Sequence, residues 1–411
     1  MQTPVGTARI LLSRSFLLSF LSFFFLWVSF DLFILFPLYV LRVGGDSVDI
    51  GIQTAIFFFP SVVIRPVAGW LTDRIGRLKV LWFGTFLMVV SAFAFLFLKG
   101  SYREIQWQMA AILFTRGLGF AAFYTAFFTY VVDLTTFENR ARILGLFGVS
   151  GLVGHGIAPK VGEIVLHSFD FDGFFAFSGV LSLISLTIAA FLKEERTSNL
   201  PAGSGIRMFK EVTITKKNWM ILPGAFTFGY VLASFNTFGA PYFEQSGKAS
   251  VGYFFLAYGL TAGFVRIFLG GIADRVERWR LVTFFFILQA AGIGFIVFEP
   301  VQKFYLIGAV LAGGAHAFLF PAMAAMAVDA HPQELRGVVT SIFTAAIELG
   351  FSLGSYILGV IVAIEGYRFM FASCSAFAVA FAAYAMIMQF YRKRSVPADS
   401  IDIAGPETHN K

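Results

Sequence analysis

The chain is 411 residues long, 58% hydrophobic and only 13% charged, with a mean hydropathy of +0.78. Soluble domains run at roughly 45–50% apolar and 25% charged residues, so a water-soluble globular fold is excluded. The formal charge of +7 sits in short basic runs between apolar segments and not along one polar face, which argues for membrane topology and against nucleic acid as a partner.

Cys374 is the only cysteine, so this chain can build neither an intramolecular disulfide nor a thiolate zinc site or iron–sulfur cluster. No metal and no cofactor is expected. Fifty-four Phe and 40 Gly suit a lipid solvent, because rings can face acyl chains while glycines let helices without a mutual hydrophobic drive approach closely.

A membrane-spanning helix needs about 20 apolar residues. Taken in chain order, the first such stretch follows Arg9 and Arg14 and runs over 15–41 without a small-residue cleavage site, so it reads as a span and not as a signal peptide. Further segments follow at 48–71, 80–98, 105–132, 143–166 and 173–192, then at 219–240, 251–272, 281–298, 304–328, 338–364 and 369–391. The expected fold is therefore an all-α polytopic membrane protein of twelve transmembrane helices in two sets of six. The expected domains are an N-terminal bundle at 1–192, a polar linker at 193–217, a C-terminal bundle at 218–394 and a disordered tail at 395–411.

One set of loops collects Arg74, Arg77, Lys79, Arg140, Lys193, Arg196, Arg278, Arg280 and Arg392, whereas the other holds only Arg42, Lys99, Arg103, Lys248, Lys303 and Arg368. Positive charge marks the cytoplasmic face, which places both termini and the linker in the cytoplasm and makes the lipid bilayer of a cytoplasmic membrane the partner.

The two halves also resemble each other. Residues 65–79 align without gaps on 266–280, so that Arg65, Gly69, Asp73, Arg74 and Arg77 fall on Arg266, Gly270, Asp274, Arg275 and Arg278. Val132, Asp133, Arg140 and Gly154 fall likewise on Val328, Asp329, Arg336 and Gly350. Same-orientation halves imply parallel repeats about an axis normal to the membrane, with a site between them.

Gly69-Trp-Leu-Thr-Asp73-Arg74-Ile-Gly76-Arg77-Leu-Lys79 resembles the signature loop between spans two and three of the major facilitator superfamily, in the style of its sugar-efflux and drug-efflux permeases. The resemblance covers almost the whole chain. It implies a two-lobed carrier, monomeric by default, that alternates between inward and outward openings and moves a small-molecule substrate. Gly69, Asp73, Arg74, Gly76, Arg77 and Lys79, with Gly270, Asp274, Arg275 and Arg278, would form a cytoplasmic gate. Glu277 stands where the second copy would have glycine.

Gly145, Gly154, Pro159 and Gly162 reproduce the spacing of the family's fifth-span antiporter motif, with Ala158 and Glu163 in place of glycines. Small residues there allow close packing, and Pro159 would bend the helix. In the fourth span the family's drug antiporters carry arginine four residues before a glycine. Here that position is Leu113, and Arg116 stands beside Gly117, either as a displaced substitute or as the partner of a nearby carboxylate.

Charges within a span are costly enough to mark function. Asp31 lies mid-span, desolvated as a proton carrier must be, and Glu348 follows the same logic in the eleventh span. His316 and His155 are cavity candidates, Asn236, Tyr124 and Gln289 are uncharged hydrogen-bonding ones, and Lys160 and Glu163 can neutralise each other. Arg65 and Arg266 are expected to snorkel to the cytoplasmic face.

Transport by proton-coupled efflux is the first reading, and a facilitator or a proton symporter importing a small metabolite is the alternative. No nucleophile–base pair, metal cluster or Walker-type phosphate loop stands at readable spacing, so neither an enzyme nor an ATP-driven pump is expected.

Overall fold

The computed structural model describes residues 9–136, 139–194, 218–247, 250–272, 276–297, 304–331 and 335–395. Asp274, Arg275 and most of the predicted linker and tail lie outside them. Among the described residues the chain is helical and contains no strand, as lipid requires, since each backbone polar group must be satisfied within its own segment.

α1 (Arg14–Leu32) passes through a 3-10 turn (Phe33–Leu35) into α2 (Phe36–Arg42). Then come α3 (Ser47–Ile75), α4 (Arg77–Ala94), α5 (Tyr102–Asp133), α6 (Arg140–Ala189), α7 (Asn218–Ser246), α8 (Val251–Phe264), α9 (Arg278–Val297), α10 (Phe304–Asp329) and α11 (Arg336–Ser395). α8 runs on into a π-helical turn, Val265–Leu269.

Polar residues between apolar runs start these helices. Ser13 Oγ accepts from the Phe16 amide at 3.2 Å, Asp46 from Val48 and Asp49 at 2.8 and 2.9 Å, and Ser250 from Tyr253 at 3.2 Å. Each satisfies amide groups that the first turn leaves without an intrahelical partner.

Among the described residues ten helices are long and apolar enough to cross a membrane, against the twelve segments predicted. The difference lies in two of them, 47 and 52 residues long, each of which holds two predicted segments. In α6, Gly151, Gly154 and Gly162 meet Phe23, Trp27 and Leu35 in rising order, whereas Ser178 and Ser185 meet Ser29 and Ser22 in falling order. The direction reverses at Asp170, the one non-helical residue within α6 (φ 57°).

Asp170 takes that left-handed conformation while its carboxylate pairs with Arg42, consistent with the tolerance of Asp for it. Pro159 does not break the helix; helical φ/ψ persist through it. α11 reverses in the same way at Gly366 (φ 81°). Gly350 and Gly354 lie against Phe226 and Tyr230, after which Phe371, Phe377 and Phe381 meet Tyr242, Tyr230 and Gly224.

Small residues set how closely these helices pack. A Cβ on Gly292 would lie 2.9 Å from the Gly308 carbonyl, and one on Gly84 would lie 2.9 Å from that of Gly119. Serines add buried polar rungs: Ser22 to Ser185 at 2.9 Å, and Ser29 to Ser178 and Ser182 at 2.8 and 2.7 Å. Interhelical hydrogen bonds of this kind contribute about 0.6 kcal/mol each.

Candidate functional site

Within the bundle lies a cavity of about 740 Å³. Its walls come from α1 and the 3-10 turn after it, α2, α3, α5, α6, α7, α9, α10, α11 and the π turn after α8, and they are rich in aromatic rings, among them Trp27, Phe30, Phe57, Phe58, Phe120, Phe128, Phe228, Phe318, Phe320 and Phe351. Asp31, Tyr124, Gly145, His155, Asn236, His316 and Glu348 all reach it, so six polar residues singled out from the sequence converge on one space.

Asp31 is 3% exposed. Its Oδ1 lies 3.1 Å from His155 Nδ1 on α6, and its Oδ2 has no hydrogen-bond partner among the described residues. The close fit of α1 to α6 positions the pair: a Cβ on Gly154, one residue before His155, would stand 3.2 Å from Trp27. His316 hydrogen-bonds through Nδ1 to the hydroxyl of Tyr258, whose ring also contacts His155. Tyr258 escaped the sequence reading because a tyrosine in an apolar run carries no distinguishing signal.

Glu348 is fully engaged. Arg65 Nε donates to its Oε2 at 2.8 Å, Arg65 Nη2 bonds its Oε1, and Ser61 Oγ donates to Oε2 at 3.0 Å. Arg65 also lies 4.7 Å from the centroid of the Tyr124 ring. Arg65 therefore does not snorkel to an aqueous face; it is 7% exposed and joins α3 to α11 across 283 residues of sequence. Arg266 does not snorkel either, for it too lines the cavity.

Asn236 donates to the Leu232 carbonyl of its own helix at 2.9 Å. Gln289 is buried away from the cavity lining, with neither amide atom paired among the described residues.

Arg116 is fully buried and lines no part of the cavity; Leu113 does. Its Nη2 donates to the Ser29 carbonyl at 2.8 Å, Nη1 reaches the Met88 carbonyl at 3.4 Å, and the guanidinium sits 3.7 Å from the Phe33 ring centroid. Of the two readings of Arg116, partnership with a nearby carboxylate is not observed among the described residues, where Asp31 takes His155. Its role is to tie α5 to α1 and α4.

At the arginine-rich end, Arg77 Nε donates to Asp133 at 2.8 Å and Nη1 lies 3.3 Å from Asp73. Gly76 (φ 108°) makes the turn, and Glu194 accepts from the amides of Arg77 and Leu78 at 2.7 and 3.1 Å, so a carboxylate caps the positive end of α4. Glu194, 117 residues from Arg77, has no local signal for this role. Arg74 stacks on Trp70 at 5.0 Å, and Lys79 is exposed.

The second copy repeats the pairing, with Arg278 bound to Asp329, while Gly69 and Gly270 both face open space. Arg77 and Asp133 side chains are 4% and 7% exposed. Arg77→Ala removes the guanidinium that holds Asp133 and Asp73 and is expected to cost about 3 kcal/mol, read as a lowered melting temperature in detergent against an unchanged Lys79→Ala.

At the opposite end, contacts bridge helices before the linker to helices after it. Ser47 Oγ donates to the Gly359 carbonyl at 3.0 Å. Glu163 accepts from Ser250 Oγ at 2.7 Å and from the Gly252 amide at 2.9 Å, so it caps α8 while holding Lys160 at 3.2 Å. Lys160 and Glu163 thus do neutralise each other, and Lys160 also stacks on Tyr253 at 3.9 Å. Of the fifth-span glycines, Gly154 and Gly162 pack on α1, while Gly145 faces open space beside the cavity.

A bundle of apolar helices around an aromatic, charge-bearing cavity defines a multi-pass membrane protein with room for a small molecule. The chain belongs to the Major Facilitator Superfamily, whose model matches residues 15–302 and 241–410. It is similar to the staphylopine export protein of Staphylococcus aureus (strain Mu50 / ATCC 700699), at 23% identity over 87% of this chain and 91% of that protein. In fold it is similar to a mutant of the nucleoside transporter NupG (TM-score 0.77, 14% identity, 91% of this chain and 98% of the other). It also resembles a D-xylose-proton symporter (TM-score 0.73, 14% identity, 90% and 96%).

Proposed function

We propose that this transporter exports a small solute across the cytoplasmic membrane in exchange for protons, as a monomer that exposes its cavity to the two sides in turn. The observation that carries this reading is Asp31. Its carboxylate is buried on the cavity wall with one oxygen on His155 and the other without a donor, and a buried oxygen left without a donor is a place for a proton. The outward direction is supported by the glycine-lined packing of Gly154 and Gly162 on α1 and by the exporter among the relatives.

In this reading residues 1–192 and 218–394 are two bundles of six crossings, joined by a cytoplasmic linker, with both termini and the tail at 395–411 also cytoplasmic. The concentration of Arg74, Arg77, Arg278 and Arg280 at one end supports that orientation. Gly69, Asp73, Arg74, Gly76, Arg77 and Lys79, with Gly270, Asp274, Arg275 and Arg278, serve as the cytoplasmic gate.

Everted membrane vesicles acidified inside test the direction. A panel of labelled sugars, nucleosides and organic acids is expected to include a solute that accumulates only while the gradient stands. Accumulation to equilibrium without a gradient would mark a facilitator, and exit of solute together with protons would mark a symporter.

The contacts of Glu163 with Ser250 and Gly252 then form an outer latch. Glu163→Ala is expected to raise several-fold the labelling of a cysteine at Thr54, beside the cavity, by an impermeant thiol reagent added outside. Unchanged labelling in a background where Cys374 is replaced would remove the latch from the account.

A further inference from the structure

We infer that the cavity takes an organic carboxylate, held by Arg266, with an apolar body lying along the aromatic walls; this rests on the carrier reading above. The argument starts from the internal repeat. Arg65 and Arg266 are equivalent positions, but their surroundings differ.

Around Arg65, Glu348 supplies a bidentate carboxylate, Ser61 buttresses that carboxylate, and Thr344 Oγ1 lies 3.5 Å from Nη1. By the alignments that place Arg65 on Arg266 and Gly154 on Gly350, the equivalents of Glu348, Ser61 and Thr344 are Leu152, Ala262 and Gly148. The structure follows this correspondence. Leu152 and Ala262 pack together with Val265 against them, and a Cβ on Gly148 would lie 3.5 Å from Arg266 Nη1.

The carboxylate and the two hydroxyls around Arg65 thus have only apolar or side-chain-less counterparts around Arg266. Among the described residues Arg266 has no hydrogen bond or ion pair, although it faces the cavity and sits in a π-helical turn, an insertion frequent at functional sites. The other charged side chains on the cavity wall have polar side-chain partners: Asp31 has His155, Glu348 has Arg65, and Arg278 has Asp329. A guanidinium with no hydrogen-bond or ion-pair partner in an aromatic cavity is costly until an anion meets it, and a carboxylate answers its fork with two parallel hydrogen bonds. Gly148 leaves room beside Nη1 for that group.

The test compares three probes of one shape on the purified protein: naphthylacetate, its neutral amide and naphthylethylammonium, with binding read by thermal stabilisation. The carboxylate is expected to bind about tenfold or more tighter than the amide, the scale of a hydrogen bond to a charged group, and the ammonium weakest. Arg266→Lys should keep the preference for the acid and Arg266→Gln lose it. Leu152→Glu, which restores the carboxylate that the repeat lacks, should lose it as well.

Equal binding of acid and amide by the parent protein, or no stabilisation by the acid, would overturn the inference without use of any variant. So would an acid preference that survives in Arg266→Gln. Because the assay reads binding alone, its failure is separable from a failure of proton coupling, which the vesicle and flux measurements read.

Discussion

Arg65→Leu is expected to abolish transport and to cost about 3–5 kcal/mol of stability. Glu348 is 6% exposed, and its two carboxylate oxygens bond Arg65 and Ser61. Without the guanidinium a carboxylate would stand in an apolar space with one hydroxyl donor. Replacing both members is a different matter, because a buried ion pair exchanged for apolar residues of similar volume is often neutral or stabilising. The double variant Arg65→Leu with Glu348→Leu is therefore expected to recover most of the melting temperature and none of the transport. If the double variant melts as low as the single one, the pair is not what holds α3 to α11.

The second large effect is expected at Asp31. Asparagine preserves the size of the side chain and an oxygen for His155, 3.1 Å away, but it cannot exchange a proton. Asp31→Asn should therefore bind solute within about threefold of the parent, a difference of less than 1 kcal/mol, while solute-driven proton movement falls to background. A variant that lost affinity and coupling together would make Asp31 a substrate ligand instead. Glu348→Gln is expected to behave differently, because it loosens Arg65 and so alters the packing of α3 on α11 as well.

Much of this was legible because lipid makes charge conspicuous. Asp31, His155, His316 and Glu348 stand out as polar residues in apolar runs, and the structure brings all of them to one cavity. Glycine spacing was legible too, since close helix approach requires small residues wherever it occurs.

What the sequence could not supply was partnership. Whether an arginine near a helix end snorkels or turns inward depends on what faces it. Arg65 meets Glu348 only because α11 lies alongside α3, 283 residues on. Arg266 was misread in the same way, although its equivalence to Arg65 was visible, because the loss of its partners through Leu152, Ala262 and Gly148 has meaning only once Glu348 is known to hold Arg65.

Arg116 shows the complementary limit. Its closeness to Gly117 made it a cavity candidate, yet its guanidinium is spent on the Ser29 and Met88 carbonyls, acceptors that no side-chain pattern reveals. The helix count differed for a geometric reason: chain reversals at Asp170 and Gly366 are made by single residues with positive φ, without a loop to mark the turn.

The central claim, that Asp31 carries the proton which drives solute movement, is tested most directly in liposomes that hold the purified protein and a trapped pH dye. Imposing a gradient of each solute in the panel on the parent, Asp31→Asn and Glu348→Gln proteins should give, for at least one solute, a proton flux opposite to the solute in the parent and none in Asp31→Asn. Solute movement with no proton flux in the parent, or a flux that survives undiminished in Asp31→Asn, would contradict it.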